Sequence, residues 1–213
     1  MKVLNLYAGV GGNRKLWKDV EVTAVEWVPE IAQIYQDFFP EDEVIVTDAH
    51  QFLLENYQDY DFIWSSPPCP THSFLHRNFA KMKGRTPKYP DMALYQEIIL
   101  LDTFFDGLYC VENVKSYYTP LIKPQEIYRH YFWSNFYIIP FDLNVKDITI
   151  TNARSSVRRT KKEHIKMLQE FHGLKIDDVK LLSNCVYPPL GKHILDCARG
   201  TIQQKLMTVG VKQ

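Results

Sequence analysis

MKVLNLYAGVGG, residues 1–12, is the stretch whose reading decides the fold. Val3 to Tyr7 has the length and composition of a buried strand, and it runs directly into glycines at positions 9, 11 and 12. Gly12 to Lys18 then reads as the start of a helix, so the chain opens with a strand, a tight turn and a helix. The apolar run is short and carries a single lysine, and it reads as a first strand and turn, not as a signal peptide.

The same alternation continues outward from this unit. Glu21 to Glu26 reads as a second strand, and Ile31, Ile34, Tyr35 and Phe38 recur at helical spacing after Pro29, a favourable first-turn residue. Glu43 to Val46 and Asp61 to Ser65 are a third and a fourth strand. Leu94, Ile98, Leu101 and Phe105 mark the apolar stripe of a long helix, and Leu108 to Glu112 is a fifth strand. Such alternation predicts a Rossmann-like α/β fold, a central and mostly parallel sheet with helices on both faces. From about Pro140 the pattern degrades into a polar, basic stretch, before a last apolar helix, Leu190 to Leu206, after Pro188 and Pro189.

Composition narrows the function classes. The chain has 213 residues, 46% of them hydrophobic and 14% aromatic, enough for one domain with a substantial core. Formal net charge is zero, so any attraction to nucleic acid must come from a local cluster. No apolar stretch approaches the ~20 residues that span a bilayer, so no membrane partner is expected. The four cysteines (Cys69, Cys110, Cys185, Cys197) form no C-x-x-C pair. A reduced, cytoplasmic setting with neither a disulfide framework nor a metal site is therefore expected.

Ligands of such sheets sit beyond the carboxyl ends of the strands, and the notable residues fall there. Glycines 9, 11 and 12 permit a sharp turn and a close ligand approach, although alone they fit a plain strand-to-helix turn equally well. Arg14 stands where a dinucleotide site would need a further glycine. Glu26, ending strand two, is placed to accept both hydroxyls of a ribose; taken alone it reads as a solvated acid. Asp48, after strand three, suits either an adenine amino group or the N-cap of a helix starting at Ala49. Together at successive strand ends these residues favour an adenosyl ligand.

The run Asp61-Phe-Ile-Trp-Ser-Ser-Pro-Pro-Cys-Pro70 carries the chemistry. Pro67, Pro68 and Pro70 fix φ around Cys69 and remove three backbone donors, which stiffens the loop and projects the thiol into the crevice. Three prolines around a cysteine are poor design for core packing, so Cys69 reads as a nucleophile, whereas the other cysteines read as small buried hydrophobes. Beside an adenosyl sulfonium, a thiolate has a clear use. Its addition to carbon 6 of cytosine makes carbon 5 nucleophilic, and a proton at N3 assists. Glu112, ending the adjacent strand, is the candidate acid, with Asn113 bracing the loop. A free thiol is only a few per cent ionised at neutral pH, so nearby cations matter, and Arg129 and His130 are candidates.

With these motifs in this order, the chain resembles the DNA cytosine-5 methyltransferases over nearly its whole length. LNLYAGVGG resembles the family's first motif, with Asn5 for Asp and Tyr7 for Phe. VEW around Glu26, TDA around Asp48 and SSPPCPTHS around Cys69 resemble the next ones, with Pro70 for the common Gln. Glu112-Asn113-Val114, 43 residues after the cysteine, matches the ENV motif, and Arg129 to Asn135 is a poorer match to the arginine motif. Leu182 to Gly191 resembles the last motif. The resemblance implies S-adenosylmethionine as cofactor, held by Tyr7, Ala8, Gly9, Gly11, Gly12, Glu26, Trp27, Asp48, Ala49, Pro67, Asn184 and Val186. It implies Cys69, Glu112 and Arg129 as catalytic, with Arg129 and His130 both open for the arginine role. It implies methyl transfer to carbon 5 of a cytosine flipped out of double-stranded DNA.

The departure from the family is economy. Residues 1–138 and 166–213 are expected to form the catalytic and cofactor-binding domain, leaving 139–165 as a reduced target-recognition segment. Arg154, Arg158, Arg159, Lys161 and Lys162 there, with Asn113, are the candidate DNA contacts. Phosphate contacts position a protein without reading bases, so a short recognition sequence is expected. Three rivals stand beside this reading. Cytosine-5 methylation of tRNA keeps the chemistry. An inactive DNA- or cofactor-binding relative leaves Cys69 and Glu112 without a use. A nicotinamide-dependent oxidoreductase leaves the prolines unexplained.

Overall fold

Val3 and Leu4 are neighbours in β1 (Lys2–Leu6), and both are fully buried although they face opposite layers. A strand covered on both faces belongs in the middle of a sheet. The computed structural model describes residues 1–86, 88–140 and 160–202. Its seven-stranded sheet has the order β3–β2–β1–β4–β5–β7–β6. The other strands are β2 (Glu21–Glu26), β3 (Glu43–Val46), β4 (Phe62–Ser65), β5 (Leu108–Val114), β6 (Gln125–Ile127) and β7 (His130–Ser134). β1 to β5 are parallel, β7 returns antiparallel beside β5, and β6 pairs antiparallel with β7. Chain order reverses at β1, whose neighbours are β2 and β4, so the ligand crevice opens beyond the carboxyl ends of these two central strands.

Helices cover both faces, as the alternation predicts. One layer holds α1 (Pro29–Phe38) and α7 (Pro188–Ala198), whose Leu190 and Ile194 pack on Val3, Trp64 and Phe132 of the sheet. The other holds α2 (Ala49–Asn56) and α4 (Ala93–Phe104), with Leu94, Ile98 and Leu101 against Leu4, Ile63 and Val111. Burying each of these α4 side chains stabilises by about 2 kcal/mol, more than any difference in helix propensity. α5 (Lys161–His172) and α6 (Val179–Ser183) meet the glycine turn through Val10. α3 (Phe74–Met82) follows the cysteine loop and buries none of its residues. Among the described residues no helix is long and apolar enough to cross a membrane.

Three expectations are corrected. The helix expected from Gly12 to Lys18 is one 3-10 turn, Arg14–Leu16. It stops because Trp17 turns extended and enters the core, its indole donating to the Gly191 carbonyl at 3.0 Å. Glu112 does not end its strand, because pairing with β7 carries β5 on to Val114. The prolines at 188 and 189 form the first turn of α7 instead of preceding it, where a missing N–H costs nothing, and the helix ends at Ala198. Residues 203–206 of the expected helix lie outside the described residues. Residues 160–165, at the end of the expected target-recognition segment, belong to a capped helix start. A capping box between Thr160 and Glu163 starts α5, which buries His164 and Leu168.

Candidate active site

The glycine turn is tied to β2 before any ligand is considered. Glu26 ends β2 almost fully buried, and its carboxylate accepts the Gly9 N–H at 2.9 Å and the Val28 N–H at 3.0 Å. Gly9 has φ +56° and a Cβ there would meet nothing within 4 Å, so the turn presents bare backbone to open space. The other two glycines serve the protein itself. A Cβ at Gly11 would lie 2.2 Å from the Phe39 ring, and one at Gly12 would lie 2.7 Å from the Val186 carbonyl. The turn therefore packs on α1 and on the segment before α7, and of the three glycines Gly9 has open space where a side chain would stand.

That cavity has a volume of about 680 Å³. It runs from the glycine turn to the cysteine loop and on to the β6–β7 turn. Tyr7, Ala8, Gly9, Gly12, Glu26 and Pro67 line it as expected, with Asn184 and Val186 across from them. Four residues named for the cofactor do not line it. Gly11 is covered by Phe39. Trp27 is 66% exposed on the rim side of Glu26. Asp48 caps α2 by accepting the Gln51 N–H at 2.8 Å, and Ala49 is buried behind it.

Cys69, Glu112, Arg129 and His130 line this same cavity, although 61 residues separate the first from the last. The cysteine loop is fastened from several sides. Asn113 donates to the Pro67 carbonyl at 2.9 Å and accepts the Val114 N–H at 2.9 Å. Asn113 is 2% exposed, so both of these bonds brace the loop from within. The Cys69 carbonyl accepts from His72 and Ser73, and Nδ1 of His72 lies 2.6 Å from the Tyr118 hydroxyl. Burial, aided by the Glu112 carboxylate, pushes the Cys69 thiol up to about 11. Burial also lowers His130, despite Glu112 and assisted by Arg129. His130 is thus neutral near pH 7, and its Nδ1, 3.5 Å from Glu112, makes no hydrogen bond. Arg129 lies exposed beside the Tyr128 ring, and it and Lys180 bring positive charge to the cavity.

Arg154, Arg158 and Arg159 lie outside the described residues, while Lys161 and Lys162 are exposed at the start of α5. Sequence reasoning missed a second basic stretch. Residues 71–90, directly after the cysteine, carry Arg77, Lys81, Lys83, Arg85 and Lys88 and no acid. His76 from this stretch lines the cavity, and Phe79, Met82 and Tyr89 are exposed on it. A charge count over that window would have found it. Phe171, stacked on Tyr187 at 4.4 Å, also lines the cavity, and no motif signalled it.

The model of the family described as C-5 cytosine-specific DNA methylase matches residues 1–116, more than half of the chain. The chain belongs to that family. Among solved structures it is similar to the methyltransferase EhMeth of Entamoeba histolytica, with a TM-score of 0.55 at 12% identity, covering 95% of this chain and 98% of that one. It is also similar to a mutant of DNMT2 from Spodoptera frugiperda (TM-score 0.38, 27% identity, 54% of this chain and 35% of that one). A SAM-dependent methyltransferase from Agrobacterium tumefaciens gives a TM-score of 0.39 at 14% identity, over 56% and 40%. No curated protein matches the chain. The likeness to the Entamoeba protein extends the methyltransferase fold over nearly the whole of this methylase. S-adenosylmethionine is its cofactor, and the open backbone at Gly9, the acid of Glu26 and the adjoining thiol fit that molecule.

Proposed function

We propose that this methylase transfers a methyl group to carbon 5 of a flipped-out cytosine in double-stranded DNA, through a covalent adduct at Cys69. The observation that carries the reading is the placement of Cys69 and Glu112 on one cavity with the glycine turn. S-adenosylmethionine, when bound, supplies an electrophilic methyl group on a sulfonium. The chain supplies the rest. Cys69 loses its proton and its sulfur bonds to carbon 6 of the ring, while Glu112 gives a proton to N3. Carbon 5 takes up the methyl group as an enamine carbon. With S-adenosylhomocysteine as the spent donor, water takes the proton from carbon 5, which expels the sulfur as thiolate. N3 returns its proton to Glu112 as the ring becomes aromatic again, and the thiolate recovers a proton from solvent. Asn113 holds the loop that aims Cys69, through its bond to the Pro67 carbonyl.

Nucleic acid as substrate is supported by charge. Arg77, Lys81, Lys83, Arg85 and Lys88 form an acid-free basic stretch with His76, which lines the cavity, on a chain of zero net charge, and Lys161 and Lys162 are exposed at the start of α5. Such cations neutralise phosphates and position the duplex. Labelled methyl transfer to duplex DNA and to tRNA in parallel tests the reading. We expect transfer to DNA, abolished in Cys69→Ala, and a denaturation-resistant complex with 5-fluorocytosine DNA. Activity surviving in Cys69→Ala sinks the covalent mechanism, and methylation of tRNA alone sinks the choice of substrate.

A further inference from the structure

Glu97 stands in the middle of α4 with no exposure at all, among Leu94, Ile98 and Leu101. A carboxylate there is costly unless fully partnered, and an apolar residue would serve the packing better. Its partners come from three other elements. Oε1 accepts the Tyr7 hydroxyl at 2.6 Å and meets Nδ1 of His50, in the first turn of α2, at 3.0 Å. Oε2 accepts the hydroxyl of Ser65, the last residue of β4, at 2.6 Å. The hydrogen bond to Glu97 also raises His50, opposed by its partial burial.

Two of these partners lead straight into the active site. Tyr7 opens the glycine turn and lines the cavity, and it sits at φ +55°, a left-handed conformation that a tyrosine adopts only when something holds it. Ser65 is followed by Ser66, Pro67, Pro68 and Cys69. One carboxylate thus joins the strand end that presents the cofactor turn to the strand end that presents the nucleophile.

We propose that Glu97 is a positioning residue whose carboxylate, shared by Tyr7, His50 and Ser65, sets the separation between the methyl-donor site and Cys69. The inference rests on the cytosine methylation reading for its purpose, but its test does not require a nucleic acid. Tyr109 supplies the control, because its hydroxyl donates to Asp102 at 2.9 Å and so ties the same helix to the sheet away from the site. Tyr7→Phe, Ser65→Ala, Glu97→Gln and Tyr109→Phe are compared in the full chain. Calorimetry with S-adenosylhomocysteine, iodoacetamide alkylation of Cys69 and thermal melting are the readouts.

Tyr7→Phe is expected to weaken S-adenosylhomocysteine by about tenfold, the worth of one charge-assisted hydrogen bond. Ser65→Ala is expected to keep that affinity and to alkylate severalfold faster at Cys69, since a loosened loop leaves the thiol less buried. Glu97→Gln should do both, and Tyr109→Phe should lower the melting temperature alone. If Tyr7→Phe and Ser65→Ala behave as Tyr109→Phe does, Glu97 is structural and the proposal fails, even where Glu97→Gln does not fold. A wild type that methylates no cytosine in DNA or tRNA would remove the substrate reading, and these affinities and alkylation rates would still decide the role of Glu97.

Discussion

Titrating Cys69 in the absence of nucleic acid tests the mechanism at its weakest point. Burial, and next the Glu112 carboxylate, move the thiol from 9.0 to about 11. At pH 8 the thiolate fraction is then about one in a thousand, against about one in ten for an ordinary thiol, so alkylation should be about a hundredfold slower. The rate should climb about tenfold per pH unit and level off only near the new pKa. Iodoacetamide, with the Cys69 peptide followed by mass spectrometry, reads this directly. The same peptide in urea gives the unburied reference. Glu112→Gln removes the smaller contribution, so its profile should shift to lower pH yet stay above that of the unfolded chain. A wild-type profile that levels off below pH 9 would refute the claim that burial holds the proton. The finding matters because His130 is held neutral and cannot assist. Among the described residues, Arg129 and Lys180 are then the lysine and arginine side chains lining the cavity, and Arg129→Ala should slow trapping by 5-fluorocytosine DNA.

Acid should destabilise the fold through His172. It is 2% exposed with neither ring nitrogen hydrogen-bonded, and burial, with Lys15 and Arg129, lowers it to about 4. Since the folded pKa lies below the unfolded 6.5, its neutral form is favoured on folding, and stability is complete above 6.5 and lost as pH falls towards 4. From about pH 7.5 to about pH 5 the loss is roughly 2 kcal/mol, or about 4–8 °C in melting temperature. His172→Leu should lose that much less over the same range, and equal losses in both proteins would contradict it. Gly12→Ala should lower affinity for S-adenosylhomocysteine at least tenfold by calorimetry, because its Cβ would collide with Val186 and Cys185 backbone and side chain. Unchanged affinity would show that the turn can move without cost.

Much of this protein was legible without its structure, and for definite reasons. Alternating strand and helix periods are local, and buried parallel strands such as Phe62–Ser65 read as unbroken apolar runs. Their order, together with the glycines and the prolines around Cys69, pointed to the cavity at the strand ends and to the cysteine that lines it. Tertiary packing decided the rest. It shortened the helix after Gly12 to one turn, because Trp17 belongs to the core beside Trp64. It assigned Gly11 and Gly12 to protein contacts and only Gly9 to open space, a difference of surroundings and not of residue type. It made the helix cap at Asp48 and the brace at Asn113 actual contacts, each a role the sequence had offered beside another, because a polar side chain serves whichever partner the fold brings within about 3 Å. Glu97 and its partners were invisible along the chain, since Tyr7 and Glu97 stand 90 residues apart. Local sequence determined which elements form and what chemistry they carry. The distances at which those groups meet were decided only when the sheet closed, because contact depends on the paths of all the strands at once.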